Sequence, residues 1–387
     1  MNSRRRAAGY PEPSMETIRE ASFYETLPDG RVRCTLCPHE CRILDGSRGA
    51  CGVRVNRRGR LFTLVARRAV ARAVDPIEKK PLFHFFPGSL SYSIAAVGCS
   101  FRCSFCQNWE ISQWPKTRPP FRPSWEGEDA AWAADPTLRA LGGAVPGENA
   151  APREIVRAAL GTRCGSIAYT YGEPTVFFEL AYETAVEARA AGLRNVFVTN
   201  GYISEGPLRR IAAVLDAVNV DLKFFRRESY LRIGRGRLAP VLDAIRLYRA
   251  LGVWTEITTL LIPGLNDSDG ELGQIAGFIR SLGAEVPWHV SRFHPAFELL
   301  DRPPTPPSSL RRARRIGLEA GLRYVYVGNA PGEGGEDTYC HGCGALLLAR
   351  TSVFLRLNRV RAGRCPDCGV PVDGVGMDPG ERRVAAS

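Results

Sequence analysis

Three cysteines, Cys99, Cys103 and Cys106, follow the apolar run Ser93-Ile-Ala-Ala-Val-Gly98 with the spacing C-x3-C-x2-C. Three thiolates so spaced can hold three corners of a [4Fe–4S] cube and leave the fourth iron without a protein ligand. Simple electron carriers normally close their clusters with four cysteines, so an open iron suits the binding and activation of a second molecule. The remaining cysteines form two sets of four and one singleton. Cys340, Cys343, Cys365 and Cys368 make two C-x2-C knuckles with 21 residues between them, the pattern of a tetrahedral structural zinc ribbon. A second electron-transfer cluster or a nucleic-acid-binding ribbon is the alternative. Cys34, Cys37, Cys41 and Cys51 are separated by two, three and nine residues. That uneven spacing suits a structural zinc site or an auxiliary iron–sulfur cluster equally, and His39 competes as a ligand. Cys164, alone in a helix-to-strand turn, reads as a buried apolar filler.

These residues need a scaffold. Short apolar runs at 91–98, 166–171, 195–199, 218–223, 253–262, 288–293 and 323–327 alternate with helical patterns near 152–161, 175–191, 205–215, 239–251, 269–282 and 308–320. Strand–helix alternation of this kind predicts βα units around a parallel sheet. The number of units points to an α/β fold that is a partial or full parallel barrel. The chain divides into a weakly ordered 1–30, a cysteine-bearing unit and bridging segment over 31–90, the barrel over 91–330, a zinc ribbon over 331–372 and a flexible tail over 373–387. Residues 115–150 read as a long surface loop near the mouth. The turn-rich Asp75-Pro-Ile-Glu-Lys-Lys-Pro81, with two of the four lysines, reads as solvated or as a flap over the mouth.

In a parallel barrel the C-terminal strand ends face the active site. Here they carry Tyr169-Thr-Tyr-Gly172-Glu173-Pro174, Thr199-Asn200-Gly201-Tyr202, Asp221-Leu-Lys223, Pro263-Gly264-Leu-Asn266-Asp267 and Ser291-Arg-Phe-His294-Pro295. Together with Cys34-x2-Cys37-Pro-His-x-Cys41 and Cys106-Gln-Asn108-Trp109, these blocks resemble a radical S-adenosylmethionine (SAM) enzyme. More narrowly, they resemble the radical SAM component of the AmmeMemoRadiSam system, within the pyruvate formate-lyase-activating-enzyme-like group. The resemblance runs from about Cys34 to Cys368.

It implies an oxidoreductase-like enzyme that cleaves SAM reductively to methionine and a 5′-deoxyadenosyl radical, which takes hydrogen from a substrate the sequence does not identify. Cys99, Cys103 and Cys106 are expected to ligate the cluster. Phe105 is expected against the adenine and Asn108 near the cluster. Gly172 and Glu173 stand in the place of the segment that holds the methionine amino group. Asn200, Asp221, Lys223 and His294 are expected to line the cofactor or substrate cavity, with Asp221, Lys223 and His294 closest to the chemistry. Thr258 stands where many activating enzymes carry an arginine for the SAM carboxylate. A low-potential donor of the flavodoxin or ferredoxin class and the other proteins of the AmmeMemoRadiSam system are the implied partners. Activation of a glycyl-radical enzyme is the alternative activity.

The net charge of +12 comes almost wholly from arginine, since only Lys79, Lys80, Lys116 and Lys223 are lysine. A basic balance alone names no partner. A zinc-ribbon protein that binds nucleic acid remains the competing reading from another class. No apolar run approaches the ~20 residues of a membrane span, and the basic N-terminus leads into no apolar stretch. The expectation is a cytoplasmic protein without a membrane partner.

Overall fold

The computed structural model describes residues 18–114 and 145–378. Most of the expected surface loop at 115–150 lies outside the described residues. The centre is an eight-stranded sheet made of β1 (Ala71–Pro76), β2 (Leu90–Ala95), β3 (Ser166–Tyr169), β4 (Arg194–Thr199), β5 (Ala217–Asp221), β6 (Trp254–Leu261), β7 (Trp288–Arg292) and β8 (Val325–Gly328). Neighbours in sequence are neighbours in the sheet. β2 to β8 are all parallel, and β1 is an antiparallel edge on β2. Among the described residues no ladder joins β1 to β8, so the sheet is open. Of the expected partial or full barrel, the full one is excluded among the described residues: the sheet is open and mostly parallel. The sheet also opens at Ala71 rather than at 91. β1 went unread because Ala71-Arg-Ala-Val-Asp-Pro76 carries little apolar pattern.

Side chains alternate across the strands. Ile94, Ile167, Tyr169, Phe197, Val218, Val220, Ile257 and Val290 point to one face and form the main core. That core includes residues of α1 (Pro152–Gly161), α2 (Phe178–Ala190), α3 (Glu205–Ala212), α4 (Leu238–Ala250), α5 (Asp269–Leu282) and α6 (Pro307–Glu319). Each helix returns the chain to the start of the next parallel strand, as a crossover must. The strand residues of opposite parity, Ser93, Ala168, Val196, Ala217, Asn219, Glu256, Thr258 and His289, occupy the other face.

Residues 77–86 cross that second face near the N-terminal ends of the strands. Ile77, Leu82 and Phe85 pack on Ala168, Val196 and Ala217. Asn219 donates to the Pro81 carbonyl at 2.8 Å, and Glu256 accepts the backbone N–H groups of Phe83 and His84. The segment therefore closes the end opposite the strand C-termini, and the flap over the mouth is corrected. Its apolar half, Leu-Phe-His-Phe-Phe, is what drives it inward.

Two small units flank the sheet. Residues 19–63 form two three-stranded antiparallel sheets. At the other end, strands Thr338–Tyr339, Leu346–Thr351 and Phe354–Asn358 carry the knuckles. The start of the expected tail is packed: Val375 bridges to Phe85, and Asp373 accepts from Arg323 and Tyr324.

Candidate active site and cysteine centres

Gly98 ends the run after β2 with φ +99°, and a Cβ there would meet Val53 at 2.9 Å and the Cys51 carbonyl oxygen at 3.0 Å. Only glycine fits this turn. The cysteine loop that follows is pinned on several sides. Arg102 N–H donates to the Gly234 carbonyl, Ser104 N–H to Ile233, Glu298 N–H to Ser104, and Gln113 Nε2 to Phe101. Gly234 ends a π-helical turn, Tyr230–Gly234, an element often found at functional sites. Phe101 fills the space beneath the loop so tightly that a Cβ on Gly236 would lie 2.1 Å from its ring.

Two of the three sulfurs, those of Cys99 and Cys106, have hydrogen-bond partners. Phe101 N–H points at Cys99 Sγ (3.3 Å), Asn200 Nδ2 at Cys99 Sγ (3.6 Å), and Ser112 Oγ lies 3.1 Å from Cys106 Sγ. Hydrogen bonds to sulfur favour thiolate, the form that binds iron. Their sulfurs are not drawn into one tight group, as a single ion would draw them. The residues present thus fit a cluster.

Asn200, expected at the cofactor, is brought to the triad and also donates to Ser100 Oγ at 3.0 Å. Glu173 is buried. Its Oε1 accepts from Thr175 N, Thr175 Oγ1 and Thr199 Oγ1, and its Oε2 accepts from Asn200 N. The carboxylate ties β3 to β4 and leaves the neighbouring backbone to face the site. Burial pushes its pKa up, while the N–H and O–H donors oppose the rise. A Cβ on Gly172 would lie 2.4 Å from the Ala96 carbonyl, so the chain passes against the β2 exit only as glycine.

Lys223 Nζ lies 2.9 Å from Asp221 Oδ2 and 5.9 Å from the centre of the Phe105 ring. Burial alone lowers the pKa of Lys223, but the charges of Asp221 and Cys103 outweigh it, and the net shift is upward. The lysine is a fixed cation beside Cys103. Phe105 is buried edge-on against Phe224. Asn108 is exposed and stands at the N-cap position of the short helix Trp109–Ser112 without a side-chain cap bond. His294 is exposed beyond β7, with no hydrogen bond to the Asp221–Lys223 pair. Thr258 donates to Asn219 on the inner face at 2.8 Å. Phe101 and Phe105 are buried in the core, while Trp109 stacks on Phe297 at 5.4 Å. Cys164 is buried beside Thr162, as a filler is.

The N-terminal unit sits against this loop, which no spacing announced. His39 Nε2 donates to the Ser100 carbonyl at 2.8 Å, and its ring packs on Tyr202 at 4.9 Å. Ser204 N–H donates to Leu36, and Arg237 reaches the Pro38 carbonyl. At the far end, the ligand atoms of Cys340, Cys343, Cys365 and Cys368 lie within 4.8 Å of one another. Cys340 and Cys368 sulfurs are 3.6 Å apart, and those of Cys343 and Cys365 are 3.8 Å apart.

A parallel α/β sheet whose strand ends present a braced three-cysteine loop defines the class, and the comparisons agree. Residues 93–274 match the Radical SAM superfamily, and the chain belongs to it. It is an enzyme of that superfamily, whose members use a [4Fe–4S] cluster and SAM. Over 360 residues it is 43% identical to an uncharacterized protein, MJ0808, of Methanocaldococcus jannaschii, covering 92% of this chain and 99% of the relative. It is 25% identical over 150 residues to the benzylsuccinate synthase activating enzyme of Thauera aromatica, covering 37% of this chain and 45% of that one. Among solved structures, a domain of pyruvate-formate lyase-activating enzyme from Bacteroides vulgatus aligns with a TM-score of 0.38 at 15% identity, over 43% of this chain and 99% of that one. Among the described residues no helix is long and apolar enough to cross a membrane.

Proposed function

We propose that this enzyme is the radical SAM component of an AmmeMemoRadiSam system and uses SAM to abstract hydrogen from a substrate of that system. The observation that carries the reading is the Cys99–Cys106 loop, with hydrogen-bond partners on the Cys99 and Cys106 sulfurs and Asn200, Gly172 and Lys223 around it. The cluster and SAM, when bound, supply reductive cleavage of the sulfonium and a 5′-deoxyadenosyl radical. Cys99, Cys103 and Cys106 would hold the cluster, three ligands for four irons, so that one iron would remain for SAM. Asn200 and the Gly172 backbone orient the bound molecule. The Lys223 ammonium, held by Asp221, fixes positive charge beside the anionic thiolates. Phe101 and Phe105 keep water from the inner side of the loop.

The C-terminal knuckles hold zinc in a ribbon: four thiolates at Zn–S near 2.3 Å form a tetrahedron with edges of roughly 3.8 Å, matching the sulfur separations there. A low-potential flavodoxin or ferredoxin is the electron source. A second reading, activation of a glycyl-radical protein, is favoured by the likeness to the benzylsuccinate synthase activating enzyme. The test is anaerobic reconstitution and assay of 5′-deoxyadenosine with a low-potential reductant. The wild type forms it and Cys103→Ala does not. Equal product from both rejects the reading. A glycyl radical signal in a co-expressed partner selects the second.

A further inference from the structure

We propose that Cys34, Cys37, Cys41 and Cys51 hold a second iron–sulfur cluster, seated beside the first and relaying electrons to it. Sequence spacing leaves this set open between zinc and iron–sulfur. The sulfur positions separate the two.

The C-terminal set is contracted, with every ligand atom within 4.8 Å of the others. Among the described residues, no other group of three or more potential metal ligands is drawn so close. No three sulfurs of the N-terminal set lie within 4.8 Å of one another, and the same holds for the Cys99–Cys106 triad. A single ion with metal–sulfur bonds near 2.3 Å pulls four thiolates to about 3.8 Å apart, whereas a multi-iron cluster spreads them over its corners. One chain thus holds a contracted set at one end and two open sets at the other.

The surroundings of the open set suit a cluster. The backbone N–H of Ala50 donates to Cys41 Sγ at 3.4 Å, and the buried Arg54 guanidinium belongs to the same unit. Arg48, half-buried, donates to the Gly52 carbonyl at 2.9 Å, next to Cys51. Hydrogen bonds and positive charge at the sulfurs stabilise an anionic cluster and set its potential. His39 is not free to replace a thiolate through Nε2, because that atom donates to Ser100.

Placement gives the role. The Cys51 carbonyl lies against Gly98, next to Cys99, and His39, two residues from Cys37 and Cys41, bonds to Ser100. Cys34 and Cys51 are buried, whereas Cys37 and Cys41 are only half-buried. The set thus lies against the triad loop, with Cys37 and Cys41 partly exposed. In each relay, one electron leaves a reduced flavodoxin or ferredoxin, which is oxidised, and reduces the N-terminal cluster. The same electron then passes to the triad cluster and restores the first. No bond or proton moves. The relay rests on the function proposed above; the identity of the metal at this set does not.

Iron, sulfide and zinc per chain decide the metal after anaerobic reconstitution of the full-length protein. Two four-iron clusters and one ribbon predict about eight irons and one zinc in the wild type. The variant Cys99→Ala/Cys103→Ala/Cys106→Ala keeps about four irons and a reduced-cluster electron spin resonance signal. Cys37→Ser/Cys41→Ser loses about four irons but keeps its zinc, which verifies folding at the far end. Two zincs per chain with an iron-free triad variant overturn the second cluster. If Cys37→Ser/Cys41→Ser leaves the rate of triad reduction by flavodoxin unchanged, the relay is overturned. Failure of the triad alone to hold iron counts against the proposed function and not against this site.

Discussion

Glu173 accepts four hydrogen bonds from two strand ends while almost wholly buried. The sequence marks it as a cofactor residue through its family motif; the structure makes its carboxylate a brace, with Asn200 carrying the contact to Cys99. An amide in its place turns an N–H group toward donors that need an acceptor. Leaving such groups unsatisfied costs about 1–3 kcal/mol. Glu173→Gln should therefore melt at a lower temperature and bind SAM more weakly in equilibrium dialysis, with its iron content retained. Melting and binding equal to wild type would show that the carboxylate braces nothing. Asn108 and His294 were legible by their order along the chain, and both side chains are exposed; a strand end fixes where a residue is and not which way it turns.

At the scale of elements, β1 and the segment after it form the least expected part of the fold. Asp75 Oδ1 accepts from Lys79, and Oδ2 accepts from Lys80, Ser93 and Tyr171. Burial works against the Asp75 carboxylate, yet the lysine, tyrosine and serine donors hold its pKa well below the usual range. Burial lowers Lys80 to about 8 despite this partner. The pair joins β1, β2 and the crossing segment to Tyr171, whose φ of +60° is uncommon for a bulky residue. Removing one partner of a buried pair costs about 3–5 kcal/mol, because the other charge stays buried. Asp75→Ala should show that loss in urea unfolding, as a lower midpoint. An unchanged midpoint would place the network in solvent. The parallel strands and their helices were legible because apolar period and turn residues are local. The Asp75 segment was not, because its charged first half reads as solvated and the face that covers it comes from strands far along the chain.

Across the whole molecule, the C-terminal unit is locked to the sheet. Arg350 is buried, donates to the Phe83 carbonyl across 267 residues of sequence and lies 4.3 Å from the Phe83 ring centre. It also donates to Thr338 Oγ1, which lies 2.8 Å from Tyr326 OH. His84 Nδ1 donates to the Asp373 carbonyl, and Nε2 pairs with Tyr326 OH. In the neutral imidazole, Nε2 accepts from the tyrosine. Burial lowers the His84 pKa from its ordinary 6.5 to about 4. Between those values the unfolded chain binds the extra proton, so stability rises with pH. The contribution is complete above pH 6.5 and is lost as pH falls toward 4, amounting to about 3 kcal/mol. Urea unfolding across that window should therefore show a steeper loss for wild type than for His84→Gln. Parallel curves would assign the acid sensitivity to other groups.

By itself the sequence determined the cofactor chemistry, the order of the parallel strands and the four-cysteine knuckles. Each rests on residues close enough in the chain for spacing to constrain geometry. Tertiary structure alone decided that the sheet stays open, that 77–86 closes its far end, and that the N-terminal cysteines lie against the triad loop. Those are contacts between segments remote in sequence, made because apolar faces and buried charges must be covered by whatever the fold brings near. No local pattern records which partner that will be.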